Sequence, residues 1–434
     1  MLVLRPMWQT FPTSLPLFGA VFFERRIRGC QTGASMNDPL HVGGHARLDF
    51  ISSLRGWAAL YVALLHLTFN SHGAVSAPDW LRPAISFGGT AVTLFFVLSA
   101  FTLAMSMDTR REDAPVRNFF IRRFFRIAPL FYVWVIGTAL IGYWLFGVSP
   151  TGNAILLNVL FLFNLAPGYE WSLAYSGWSI GTEMLFYVLF PLVFATSRSL
   201  KSSLAWLIAT IAVAQAWRIA TGGISYPYPY TSIVNQMPVF IIGVIAYHLY
   251  RTLPRSRILG LWLIAAAFGG FWLLAYPFEV KQIGHSLYLR AAFCAALILG
   301  LGMAPIRAMV NPPLVFAGNI SYSIYLTHAA ACLLVERAAP FVYGKLPALV
   351  AYPAMFGLLL VIVIPVSYVS FLLIEKPGIR MGDRIIKSLP SSGFLRLDRR
   401  AKVVAHDTPG GSAEGAEQDQ QRLFAALREG DKPA

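Results

Sequence analysis

Charge is scarce in this chain, and acid is scarcer than base. Only 13% of its 434 residues are charged, with 20 Asp and Glu against 35 Lys and Arg. A soluble chain of this length would wrap two or three cores in a charged surface. Here 56% of residues are hydrophobic and the mean hydropathy is +0.60. Cysteine is nearly missing: Cys30, Cys294 and Cys332 form no CxxC pair, which leaves no basis for a disulfide framework or a thiolate metal site. The chain also lacks a phosphate-cradling GxxxxGK[ST] loop, a dinucleotide GxGxxG in a strand–turn–helix context and a zinc-binding HExxH. No metal is expected.

What is present is a series of apolar runs of about 20 residues, the length that crosses a bilayer as a helix. Ten spans are expected, at 51–70, 86–106, 127–147, 178–197, 202–220, 232–250, 258–276, 286–305, 317–336 and 348–374. The fold class is therefore an all-α polytopic integral membrane protein. The apolar stretch 154–166 is too short to span and reads as interfacial or re-entrant.

The net charge of +15 would suggest nucleic acid as a partner in a soluble protein. Here the cations gather in alternate loops. Arg110, Arg111, Arg117, Arg122, Arg123 and Arg126 lie between spans two and three. Arg251, Arg255 and Arg257 follow span six, and Lys376, Arg380, Arg384 and Lys387 follow span ten. The intervening loops hold few cations, so the positive-inside rule places both termini in the cytoplasm. No nucleic-acid partner is expected; the bilayer is the partner.

Residues 1–46 form a leader broken by Pro6, Pro12 and Pro16, with its charge after the apolar part. That is the reverse of a cleaved signal, and Met36 is an alternative start. Residues 47–387 are the membrane domain. Residues 388–434 turn polar and read as a flexible cytoplasmic tail. Two opposite-side segments carry aromatics, 148–177 and Tyr226-Pro227-Tyr228-Pro229-Tyr230. They suit a membrane-interface belt or stacking on sugar rings.

Ionisable groups inside these spans carry the functional signal, because such groups usually face a wet cavity or one another. Arg55 and His66 are eleven residues apart in span one. On a helix that is three turns, so they share a face about 16 Å apart along the axis. Counting inward from the expected outer edges brings His66, Glu183, His328 and Arg290 to comparable depth. A histidine beside a carboxylate can take a proton from a hydroxyl while the partner stabilises the imidazolium. The same pair can also be a buried link between helices. Arg123 and Arg126 share a face in Arg122-Arg123-Phe124-Phe125-Arg126. Such guanidinium forks suit phosphate oxygens, although basic residues at a cytoplasmic helix start are routine. Intramembrane His, Glu and Arg also suit a small-solute or lipid transporter, but no internal repeat of these segments is evident.

Several stretches occur in a fixed order over roughly 50 to 380. They are Arg55–x10–His66, Leu94-Phe95-Phe96-Val97-Leu98-Ser99-Ala100-Phe101 and Arg122 to Leu130. Trp178-Ser179-Ile180-Gly181-Thr182-Glu183, Ile320 to His328 and Ile374-Glu375-Lys376-Pro377 follow. The ordered set resembles the membrane-bound acyltransferase-3 family, whose members O-acylate extracellular sugars and related acceptors. Ala100 stands where that family usually has glycine, and Thr93 where an acidic residue is frequent.

The resemblance implies ten spans, an acyl-CoA donor (acetyl-CoA the favoured one) and an acceptor on the outer side. The acceptor class would be exopolysaccharide, lipopolysaccharide or another glycan. His66 would be the catalytic base with Arg55 as its motif partner. Glu183 and His328 occupy further motif positions, and Arg122, Arg123 and Arg126 cover the cofactor-phosphate motif. A multi-pass protein of the bacterial inner membrane follows from the same resemblance.

Overall fold

A computed structural model describes residues 46–390, apart from 72, 111, 223, 225–226 and 277–282. The expectations for the leader and for the tail beyond 390 lie outside these residues. Among the described residues every regular element is helical. Twelve helices carry the architecture: α1 Ala46–Phe69, α2 Thr90–Thr109, α3 Pro115–Phe146, α4 Trp178–Thr196, α5 Leu200–Ala220, α6 Ile233–Thr252, α7 Arg257–Ala275, α8 Ile283–Met303, α9 Pro312–Asn319, α10 Ser321–Val335, α11 Ala348–Ser370 and α12 Lys376–Ser388. Among the described residues nine helical segments are long and apolar enough to cross a membrane. The chain is an integral membrane protein.

Three differences from the sequence expectation matter. The expected span 317–336 is not one helix. It breaks at Ile320 into α9 and α10, so neither piece alone has spanning length. The piece before the break packs tightly: a Cβ on Gly318 would overlap the Ser52 carbonyl oxygen, and one on Gly56 would overlap the Leu314 carbonyl oxygen. Helix α9 thus lies against α1 backbone to backbone, a crossing that only glycine permits. A broken helix at membrane depth is tolerated where its freed peptide groups are buried in protein or line a cavity.

The expected span 127–147 begins twelve residues earlier, at Pro115. The arginine cluster 122–126 therefore lies within a helix rather than in the loop before it. At 32 residues, α3 is about 48 Å long, well beyond the hydrocarbon core. It stops at Gly147, whose left-handed φ of 65° caps it.

The last span continues through a π-helical turn, Phe371–Glu375, into α12. A π turn adds a residue to the helical register and often marks a functional position. Here it turns Glu375, a buried carboxylate, toward α3 and α10. Helix α12 is seated by Gly378, where a Cβ would come within 2.7 Å of the Phe125 carbonyl oxygen.

Two apolar clusters hold the bundle. The larger is built by one face of α1 with α2, α3, α4, α6 and α8. The smaller joins the other face of α1 to α10 and α11. Phe95 packs against both. The candidate site lies along this seam.

Candidate active site

Helices α1 and α10 bring two histidines into contact. His66 Nδ1 is 2.7 Å from His328 Nε2, and the rings stack with centroids 5.0 Å apart and planes 13° apart. His328 is fully buried and His66 only partly. The other nitrogen of His328, Nδ1, lies 3.2 Å from the Ile324 carbonyl oxygen. A carbonyl can only accept, so His328 Nδ1 carries a proton. In the neutral ring Nε2 is then an acceptor, and His66 Nδ1 must donate to it. By elimination His66 Nε2 keeps its lone pair. This chain of carbonyl, imidazole and imidazole prepares a base in one tautomer, the task a carboxylate performs in hydrolytic triads.

Glu183 is not part of that pair. It accepts hydrogen bonds from Ser99 Oγ at 2.5 Å and from Tyr187 OH at 2.6 Å. The depth count did not bring Glu183 to the histidines because the start of α4 is seated against Tyr325, not beside His328. The segment before it folds inward, and the Ser176 carbonyl accepts from Tyr325 OH at 3.0 Å. Ser179 Oγ donates to the same phenol oxygen at 2.7 Å. Tyr325 is three residues below His328, or about 4.5 Å along α10. Helix α4 therefore begins below the histidines, and Glu183 is deeper still. Three residues of the inserted segment, Phe161, Ser172 and Ser176, hold left-handed φ values of 57°, 67° and 61°. That strain is retained only where surrounding structure enforces it. Burial pushes the Tyr175 phenol of this segment up to about 12, so it stays a neutral hydroxyl.

Arg290 also departs from the expected pocket. Its Nε donates to Ser286 Oγ at 2.7 Å, and its guanidinium lies 3.8 Å from the Phe87 ring centroid.

Below the histidines lies a partly open cavity. Its charged wall is Arg55, Arg126 and Glu183. Ser179, Tyr187, Ser321, Tyr322 and Tyr325 line it from α4 and α10, and Phe95, Phe96, Ile127 and Ile180 close the rest. The break between α9 and α10 opens onto this cavity through Ser321 and Tyr322, which fits the rule that irregular backbone lines a cavity.

The three arginines of α3 separate. Arg122 turns away and pairs with Glu112, which Arg110 also approaches at 3.8 Å. Arg123 packs on Tyr187, 5.9 Å from its ring centroid, and its Nε is buried with no hydrogen-bond partner among the described residues. Arg126 lies 3.6 Å from Glu375, which also accepts from Ser323 Oγ at 2.9 Å. Arg55 is within electrostatic reach of Arg123, Arg126 and Glu183. Three guanidiniums against Glu183 and Glu375 leave one positive charge in excess beside the cavity, an environment that suits an anion.

Sequence reasoning missed Tyr187, Ser99, Tyr325 and the role of Glu375. Tyr187 could have been found, because it is four residues after Glu183 on one helix face. Ser99 and Glu375 reach the site only through the fold. Among the described residues no group of three or more His, Cys, Asp or Glu side chains is arranged as metal ligands.

A family model described as an acyltransferase domain matches residues 48–372. The ORF330 protein of Acidianus two-tailed virus, named as a candidate acetyltransferase, is 28% identical over 71% of this chain and 89% of its own length. The exopolysaccharide production protein ExoZ of Rhizobium meliloti is 27% identical over 68% of this chain and 90% of its own. The acyltransferase MdmB of Streptomyces mycarofaciens is 26% identical over 65% and 78%. No solved structure matches the chain.

Proposed function

Because the chain belongs to the acyltransferase-3 family, we propose that this membrane acyltransferase moves an acyl group, acetyl by preference, from acyl-CoA to a hydroxyl of a glycan. The donor arrives from the cytoplasm and the acceptor from the outer side of the bacterial inner membrane, with both chain termini cytoplasmic. The observation that carries this reading is the His66–His328 pair one helical turn above a cavity with excess positive charge.

The steps follow from the groups present. Donor phosphates dock on Arg123 and Arg126, with Arg55 adding charge deeper in the cavity. The acyl-pantetheine arm runs along the α10 stripe of Ser321, Tyr322 and Tyr325 toward His328. His66 Nε2 takes the proton of the acceptor hydroxyl as its oxygen attacks the thioester carbonyl carbon. The C–S bond breaks, and the His66 proton goes to the departing thiolate. His328 accepts from His66 Nδ1–H throughout, holding the base in its reactive tautomer. Glu183 keeps Tyr187 and Ser99 in place and balances Arg55 and Arg123. An exopolysaccharide acceptor is supported by the resemblance to ExoZ, a protein named for exopolysaccharide production.

Sealed membrane vesicles test this directly. Labelled acetyl-CoA supplied to the cytoplasmic face should put label into glycan on the opposite face. Label that appears only when acetyl-CoA is on the outer face, or no label in either arrangement, overturns the reading. His328→Leu removes the acceptor of the His66 proton, so transfer should fall about 10²-fold or more. The donor KM should stay nearly constant, because the arginines are untouched. A loss confined to KM would remove His328 from the relay.

A further inference from the structure

On the reading above, we propose that Phe95 and Tyr325 gauge the acyl group, admitting acetyl and excluding longer straight chains. The cavity runs along one stripe of α10. Ser321, Tyr322 and Tyr325 line it, and His328 is the next position on that stripe. Only one turn, about 4.5 Å, separates Tyr325 from His328. The reacting carbonyl and whatever carbon chain follows it must share that turn.

Two rings bound the gap. Phe95 of α2 meets Tyr325 edge to face, with centroids 6.0 Å apart and planes at 78°. The Tyr325 ring in turn lies 5.5 Å from that of His328. Tyr325 is pinned, since it donates to the Ser176 carbonyl and accepts from Ser179. Moving it would strand two buried polar groups. Phe95 has no polar anchor. It is held by packing against both apolar clusters, and part of its ring faces the cavity. Its side chain is therefore the wall beside Tyr325 that an acyl chain of more than two carbons would have to displace. The neighbouring Phe96 is buried against Trp178 and Phe240 instead. If Phe95 were only a core filler, shortening it would weaken every donor alike.

Donor competition separates these cases. Wild type, Phe95→Ala and Phe95→Leu are compared in proteoliposomes with acetyl-CoA, butyryl-CoA and hexanoyl-CoA, reading CoA release in the presence of acceptor. Wild type should prefer acetyl-CoA. Phe95→Ala should raise the hexanoyl-to-acetyl ratio of kcat/KM by about tenfold or more. Phe95→Leu, which keeps most of the packing, should shift the butyryl ratio by less and in the same direction. An unchanged ratio in both variants, or a wild type equally fast with hexanoyl-CoA, overturns the gauge. If the wild type releases CoA from none of the three donors, the functional reading itself is overturned, and the gauge with it.

Discussion

His66→Ala is expected to lower acyl transfer by about 10²–10⁴-fold, the contribution of a positioned general base. The protein should still insert and fold. His66 is only partly buried, and among the described residues its one side-chain hydrogen bond runs to His328. Donor affinity should hold, because Arg55 lies three helical turns away on α1 and Arg123 and Arg126 lie on α3. Labelled acetyl-CoA given to membranes with equal amounts of wild type and variant measures the transfer. Binding of a non-transferable CoA analogue measures the donor site. Equal labelling in both membranes would sink the assignment of His66 as base. Loss of analogue binding together with transfer would instead make His66 part of the donor site.

Gly318→Ala should cut stability by about 3 kcal/mol or more, the upper range for overpacking. The added Cβ meets the Ser52 carbonyl, which is backbone and cannot rotate away. To accept it, α1 and α9 must separate, and Gly56 against Leu314 is on the same interface. Since α1 carries Arg55 and His66, the loss should reach activity as well as stability. Thermal unfolding in detergent, followed by size-exclusion chromatography, checks this. Gly56→Ala should behave similarly, and the double variant should fall short of the sum, because both changes open one interface. Gly357→Ala, where nothing lies near the added atom, should leave stability almost unchanged. Unaltered unfolding of Gly318→Ala would mean that the α1–α9 contact is looser than described.

Apolar run length and patterning made the class of fold legible. Hydrocarbon thickness alone fixes the needed length, and the helices so found agree with the runs to within a few residues in most cases. The family, too, was visible in ordered motifs, and the acyltransferase match over residues 48–372 covers the same stretch. It places the chain with acyltransferases, where the intramembrane His, Glu and Arg alone had also suited a transporter. The shared face of Arg55 and His66 came from helical periodicity within one element.

What crossed between elements was out of reach. Periodicity says which residues share a face, but not which face of another helix meets it. Periodicity left both Glu183 and His328 open as partners of His66; the packing of α1 on α10 decided for His328. The inward fold of the segment before α4 set Glu183 below the histidines, a depth no count from a bilayer edge could supply. Arg122, Arg123 and Arg126 are neighbours in sequence, yet they parted toward Glu112 in the preceding loop, Tyr187 on α4 and Glu375 in the π turn, because helical steps of about 100° point them in different directions. By itself the sequence determined a bundle of membrane helices, its family and the residues worth watching, since these depend on local composition and order. Only the tertiary structure decided which of those residues touch, because contacts between helices depend on side-chain packing that is non-local in the chain.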